Sequence, residues 1–229
     1  MSHQPPSRRA GLILAGGRGR RLAGGAPQGK AGVTTAGRSF LAHVAAALWP
    51  VVDEVVVVAT ADTVLPTDAG PVTVVHDRSP GAGPLAALAD GLEWIVAAGR
   101  AEAVVVAAVD MPLLTADLPR WLLARLAAAD AGGEGPWWIV PWADGHPQVL
   151  ASALRPALLP SLRAFLATGR RDLRGYLGIL QGIVPPRVHV VGAAGGDVPP
   201  APEAFLDVDE PADLARLAAA WRRRGAVGI

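Results

Sequence analysis

The 229-residue chain contains no cysteine, and that one absence removes several classes of protein at once. A disulfide scaffold, a thiolate zinc site, an iron–sulfur centre and a cysteine nucleophile are all excluded. Lysine is nearly absent too: of 21 basic residues the only lysine is Lys30. Charge is sparse and balanced, with 21 Lys+Arg against 20 Asp+Glu, 18% of residues, and a formal net charge of +1. No basic excess remains for a broad nucleic-acid footprint. Long apolar runs are missing as well, since none reaches the roughly 18 residues of a membrane helix. Ser7-Arg8-Arg9 ahead of Gly11–Ala15 imitates a twin-arginine export signal. Its apolar stretch ends after about six residues at Gly16, too short for the hydrophobic region of a signal. The expectation is a cytoplasmic protein with no nucleic-acid or membrane partner.

What is present is apolar. At 51% hydrophobic, the chain is not disordered, and its length allows roughly 70% of the unfolded surface to be buried. That length suits one α/β domain, 1–229, with residues 1–9 as a loose polar tail. Gly11–Ala15, Glu54–Ala59, Val72–His76 and Ala103–Val109 read as buried strands, rich in Val and bounded by turn residues. Ser39–Trp49, Pro84–Ala98, Ala116–Ala129, Leu154–Ala167 and Pro211–Arg224 read as helices, with Ser39, Pro84, Thr115 and Pro211 as start signals. In the second half, Trp137–Pro141 and Gln148–Ser152 read as strands flanking the turn Asp144-Gly145-His146-Pro147. Arg187–Val191 and Phe205–Val208 read as short late strands, and Gly192–Pro202 as a Gly/Pro-rich loop. Alternation of buried strands with helices predicts a three-layer α/β sandwich, a mostly parallel sheet with helices on both faces.

Chemistry concentrates in three segments. Leu14-Ala15-Gly16-Gly17-Arg18-Gly19-Arg20-Arg21-Leu22 runs on through Gly24 and Gly25 to Lys30. A glycine-rich loop leaving the first strand exposes successive N–H groups that suit phosphate oxygens. Arg18, Arg20, Arg21 and Lys30 add charge for a polyphosphate. A lysine kept in so arginine-biased a chain marks a place where a compact ammonium serves and a planar guanidinium does not. Gly24–Lys30 spells the P-loop core, but Ala31 stands where the magnesium-binding hydroxyl belongs and the strand is ten residues away. Gly17-Arg18-Gly19-Arg20-Arg21-Leu22 and Gly81-Ala82-Gly83-Pro84-Leu85-Ala86 fit the dinucleotide fingerprint poorly.

Asp110, in Val109-Asp110-Met111-Pro112, follows a buried strand directly. Ligands of parallel sheets bind beyond strand carboxyl ends, and a carboxylate there suits Mg²⁺, which takes one or two carboxylates plus phosphates. Period-2 alternation puts Asp207 and Asp209 on one face of a short strand before the last helix. Asp209 either completes a metal site with Asp110 or caps that helix. Asp77, beyond its strand and before Gly83, is placed for ribose or base binding or for a turn. His146 reads as solvent-facing or catalytic.

Together these segments resemble the molybdenum cofactor guanylyltransferase family, within the nucleotidyltransferases of the sugar-nucleotide type. Leu14 to Leu22 with Lys30 matches the opening L-A-G-G loop, and Asp110-Met111-Pro112 matches D-x-P. Gly83-Pro84-Leu85-Ala86 preceded by Asp77, His146-Pro147, Gly169-Arg170-Arg171 and the closing Phe205 to Leu214 segment match in turn, from about residue 11 to 217. Asp207 and Asp209 stand where the family carries asparagines and are similar to the D-x-D of cytidylyl-transferring relatives. The loop before Lys30 is longer than the family's, Gly29 replaces an aspartate, and Ala59-Thr60-Ala61 lacks an asparagine. The resemblance implies transfer of GMP from GTP to the phosphate of molybdopterin, or of another phosphorylated acceptor, with release of pyrophosphate. It implies Lys30, Arg21 and Asp110 as catalytic residues and Mg²⁺ held by Asp110 and Asp209. Leu14, Ala15, Gly16, Gly17, Arg18, Lys30, Asp77, Gly83 and Asp110 would bind the nucleotide. It leaves room for proteins that deliver the molybdenum cofactor as partners. A cytidylyltransferase, a sugar-phosphate nucleotidyltransferase and a nucleotide-binding regulatory domain without chemistry are the alternatives.

Overall fold

The computed structural model describes residues 8–16, 22, 29–99, 101–129, 135–183, 185–192 and 199–227. β1 (Arg9–Leu14) is followed by the small hairpin β2 (Thr34–Thr35) and β3 (Arg38–Ser39), then by α1 (Phe40–Leu48). β4 (Glu54–Ala59), β5 (Thr73–His76) and α2 (Pro84–Ala97) come next. β6 (Ala103–Ala108) and α3 (Asp117–Ala128) complete the regular half. The remainder comprises β7 (Trp138–Ala143), β8 (His146–Pro147), β9 (Ala151–Leu154) and α4 (Leu159–Ala167). α5 (Leu173–Gly182), β10 (Val188–Val191) and α6 (Pro211–Val227) close the chain.

The strands lie in the order β10-β7-β9-β6-β1-β4-β5, with β8 folded back on β7. Along that path every pair is parallel except those of β9, which is antiparallel to β6 and β7. The sheet is apolar on both faces because its strands are. Leu12, Leu14, Val56, Val58, Val104 and Val106 meet α2, α4 and α5 in one cluster. Ile13, Val55, Val57, Val105 and Ala107 meet α1 and α3 in the other. Helices therefore cover both sides, as a mainly parallel sheet requires. α6 stands apart from these layers and packs Leu217 and Ala220 on Leu22, Phe40, Leu113 and Val208. Leu14 pairs with both Val58 and Ala108, so β1, β4 and β6 end level. Their carboxyl ends form one edge, and that edge carries the site.

The structure departs from the expected elements by more than a few terminal residues or in kind at several places. Arg9 belongs to β1 rather than to a tail, and the Arg8 carbonyl accepts the Glu102 N–H at 2.9 Å. Residues 148–150 form a turn, Ala151 N donating to Gln148 O at 3.1 Å, so the strand occupies Ala151–Leu154 instead of Gln148–Ser152. The helix expected from Leu154 begins at Leu159, after a single 3₁₀ turn at Pro156–Leu158, because Pro156 and Pro160 can only occupy helix starts. Phe205–Val208 is no strand. A 3₁₀ turn ends at Phe205, and the chain then crosses the sheet's carboxyl edge with Val208 N on Asp110 O at 3.0 Å. α5 was not expected at all; Gly175, Gly178 and Gly182 mask its helical period. Most of the expected Gly192–Pro202 loop, residues 193–198, lies outside the described residues.

Candidate active site

Backbone bonds continue the sheet past its strands and carry the functional residues into place. Ala15 N donates to Val58 O at 2.8 Å, Val109 N to Leu14 O at 3.1 Å, and Asp77 N to Ala59 O at 2.8 Å. A cleft of about 320 Å³ opens above these ends. Leu14, Gly16, Lys30, Asp77, Gly83 and Asp110 line it, joined by Gly81 and Pro84 of the glycine-turn motif and by Ala87 and Leu150, which no sequence motif marked. Gly83 has φ +91°, a conformation that side chains disfavour, and Pro84 then starts α2.

Lys30 lies in a one-turn 3₁₀ segment, Gly29–Gly32, entered through Gly29 at φ +58° and anchored by buried Ala31. Its Nζ donates to Asp110 Oδ2 at 2.6 Å and also to Asp209 Oδ1. The lysine side chain is only 12% exposed, so this ammonium is enclosed between a carboxylate from the end of β6 and one from the approach to α6. Burial acts to lower its pKa, but the charge and hydrogen bond of Asp110 and the contacts with Asp209 outweigh it. Lys30 is held above its ordinary 10.5 and stays protonated.

Asp209 does not cap α6. That work falls to Asp213, whose Oδ2 accepts the N–H of Asp209 at 3.0 Å and of Glu210 at 2.9 Å. The spacing of Glu210 and Asp213 is that of half a capping box, a signal present in the sequence. The Asp209 side chain is thereby left for Lys30. Asp207 lies apart from the cleft, in a hollow with Asp144, Glu203 and Arg216. Burial, then the neighbouring charges of Asp110 and Asp209, pushes its carboxyl above the usual range. Among the described residues no three His, Asp or Glu side chains form a metal cage. Asp110 and Asp209 nonetheless meet on one cation, and two carboxylates fit Mg²⁺ when phosphates and waters complete its octahedron.

Ala15 is buried beside the cleft rather than lining it. Gly17, Arg18 and Arg21 lie outside the described residues. His146 is exposed at the same sheet edge, its ring nitrogens engaged by Asp144 O at 3.0 Å and the Gln148 amide at 3.1 Å. Arg170 pairs with Asp172 at 2.8 Å. Arg171 donates to Leu166 O at 2.8 Å and closes the end of α4. None of these three is part of the cleft wall.

Comparison with known proteins shows the family to which the chain belongs. Residues 11–182 match the MobA-like NTP transferase domain. The chain belongs to that family. It is a nucleotidyltransferase. Among its relatives, a molybdenum cofactor guanylyltransferase of Cereibacter sphaeroides is 37% identical over 218 residues, 93% of this chain and 97% of the relative. A probable molybdenum cofactor guanylyltransferase of Mycobacterium tuberculosis is 33% identical, covering 84% and 94%. Solved structures share the fold. Molybdopterin-guanine dinucleotide biosynthesis protein A of Archaeoglobus fulgidus superposes with a TM-score of 0.65 at 19% identity, covering 93% and 99%. The 2-C-methyl-D-erythritol 4-phosphate cytidylyltransferase of Thermus thermophilus gives 0.62 at 18%, covering 92% and 98%. The family match ends before Asp209, so the carboxylate that reaches Lys30 from the α6 side lies outside it.

Proposed function

We propose that this nucleotidyltransferase moves GMP from GTP to the terminal phosphate of molybdopterin and releases pyrophosphate. The observation that carries the reading is the enclosed Lys30 ammonium at the mouth of a strand-end cleft, between Asp110 and Asp209. A triphosphate lying across that edge brings several negative charges to a place that already holds a fixed, protonated cation. Lys30 favours the build-up of charge on the leaving pyrophosphate. The acceptor phosphate is ionised at neutral pH and needs little help from a base, so catalysis is positioning plus charge stabilisation. Asp110 and Asp209 are the residues that would hold Mg²⁺, whose contribution there is to neutralise phosphate charge. Asp77 and the Gly81–Gly83 backbone are placed for the nucleoside end. The choice of guanine is supported by the near full-length likeness to guanylyltransferases.

A second reading, cytidylyl transfer, is favoured by Asp207 and Asp209 standing where asparagines are usual in the guanylyl-transferring branch. One experiment separates the two. Purified protein is given molybdopterin, Mg²⁺ and each of GTP, CTP, ATP and UTP, and pyrophosphate release is followed. Release with GTP alone is the expected result, and Asp110→Asn abolishes most of it. Faster release with CTP moves the protein to the cytidylyl branch, and release with none overturns both readings.

A further inference from the structure

Behind the Asp77 loop lies a cluster of four charges that the transfer reaction does not use. Asp90, on α2, has a side chain only 4% exposed. Its Oδ2 accepts the backbone N–H of Arg78 at 2.8 Å. Its Oδ1 accepts Arg78 Nε at 3.0 Å, Arg78 Nη2 at 2.7 Å and, from α4, Arg163 Nη2 at 2.8 Å. Glu93, one turn along α2, accepts from the same two guanidinium groups. A carboxylate this deep is costly to bury unless paired and hydrogen-bonded, and here both oxygens are engaged.

The backbone bond is the informative one. Three successive N–H groups are pinned in different ways: Asp77 to Ala59 O, Arg78 to Asp90, and Ser79 to Asp77 Oδ1 at 2.8 Å. The first fixes the loop to β4, the third uses one oxygen of Asp77, and the second ties the loop to the helix behind it. Asp77 Oδ2 remains on the cleft side, within 3.7 Å of where a side chain on Gly16 would begin. The loop then turns through Gly81 and Gly83 into α2. Asp90 itself does not touch the cleft.

We propose that Asp90 is a positioning residue for nucleotide binding: gripping Arg78 from behind, it sets the Asp77 carboxylate and the Gly81–Gly83 backbone against the nucleoside. This rests on the nucleotidyl-transfer reading above. It assigns Asp90 to affinity rather than to chemistry, because Lys30 and Asp110 stand on other segments.

The test is titration calorimetry of GTP and of CTP, with steady-state kinetics and hydrogen exchange, on the full chain. Asp90→Asn raises the Kd of the preferred nucleotide about tenfold, the loss expected for one charge-assisted bond. Its kcat at saturating nucleotide stays within about twofold, so KM moves and kcat does not. Amides 78–79 exchange faster while those of β1 and β6 keep their protection. Arg163→Gln removes one donor to Asp90 without touching the loop, and raises Kd about threefold. The two substitutions change net charge in opposite directions, so a long-range charge effect would move the affinities apart rather than together. Should Asp90→Asn fail to fold, Arg163→Gln alone decides. Unchanged Kd in the folded variants, or a fall in kcat at unchanged Kd, overturns the proposal. A parent that binds neither nucleotide defeats instead the transfer reading beneath it.

Discussion

At Lys30 the physics of a single side chain sets a narrow requirement. A guanidinium is longer and planar and cannot take the place of a compact ammonium enclosed between Asp110 and Asp209. Lys30→Arg is therefore expected to keep the fold and lose turnover by about ten- to a hundredfold, the range for one charged hydrogen bond. Pyrophosphate release measures the loss, and near-normal kinetics would sink the assignment. Asp90 gives a pH test. Burial alone would raise its pKa, but the bonds from Arg163 and Arg78 outweigh that and hold it below its ordinary 3.8. A depressed carboxylate stabilises the fold fully above its unfolded value and loses that contribution as pH falls through the folded one. The parent should thus resist urea better than Asp90→Asn at pH 6, with the gap closing below 3.8. Arg78, Arg163 and Glu93 are the charged groups facing it, and only Glu93 titrates nearby. Lys30 and Asp110 were legible in the sequence, the first by its rarity and the second by its strand-end position. Asp90 was not, because a carboxylate in a largely apolar helical run does not name its partners.

Strands were legible where burial is two-sided, in β1, β4 and β6, and the helices between them by their period and start signals; β5, half-exposed at the sheet edge, was legible only by its β-branched run. The reading weakened after residue 135, where short strands pair out of chain order and proline shifts helix starts. In α5, glycine lowers helix propensity at three positions, and tertiary packing of Tyr176, Leu177 and Leu180 overrides it. Two helical glycines show that the same residue answers to different constraints. A Cβ on Gly91 of α2 would lie 2.5 Å from Leu12 Cδ1 and 2.9 Å from Val58 Cγ2, both fully buried. On Gly178 of α5 it would meet nothing within 4 Å. Gly91→Ala is expected to destabilise by about 1–2 kcal/mol, overpacking outweighing the gain in helix propensity. Gly178→Ala should stabilise by up to about 1 kcal/mol. Urea midpoints check both, and equal signs would mean that propensity, not the approach of α2 to β1 and β4, governs Gly91.

For the molecule as a whole, the fold and the site draw on separate resources. Stability rests on apolar clusters on the two sheet faces and under α6. No described helix is long and apolar enough to cross a membrane. The site draws on a few charges at one edge, and the two carboxylates proposed for Mg²⁺ already have a counter-ion in Lys30. Removing divalent metal should then leave no unpaired carboxylates behind and cost the fold little. A ligand present at its own Kd stabilises by only about 0.4 kcal/mol. For a chain of this length that is a shift in Tm of roughly 1–2 °C. Dialysis against EDTA is expected to leave the Tm within about 2 °C of the Mg²⁺-loaded value, while pyrophosphate release stops and returns on adding Mg²⁺. GTP together with Mg²⁺ should raise the Tm further than either alone, because the triphosphate supplies the oxygens that two carboxylates cannot. A fall of more than about 5 °C on chelation would mean that metal is part of the folded framework. Lys30 would then not be the resident cation of the Asp110–Asp209 pair.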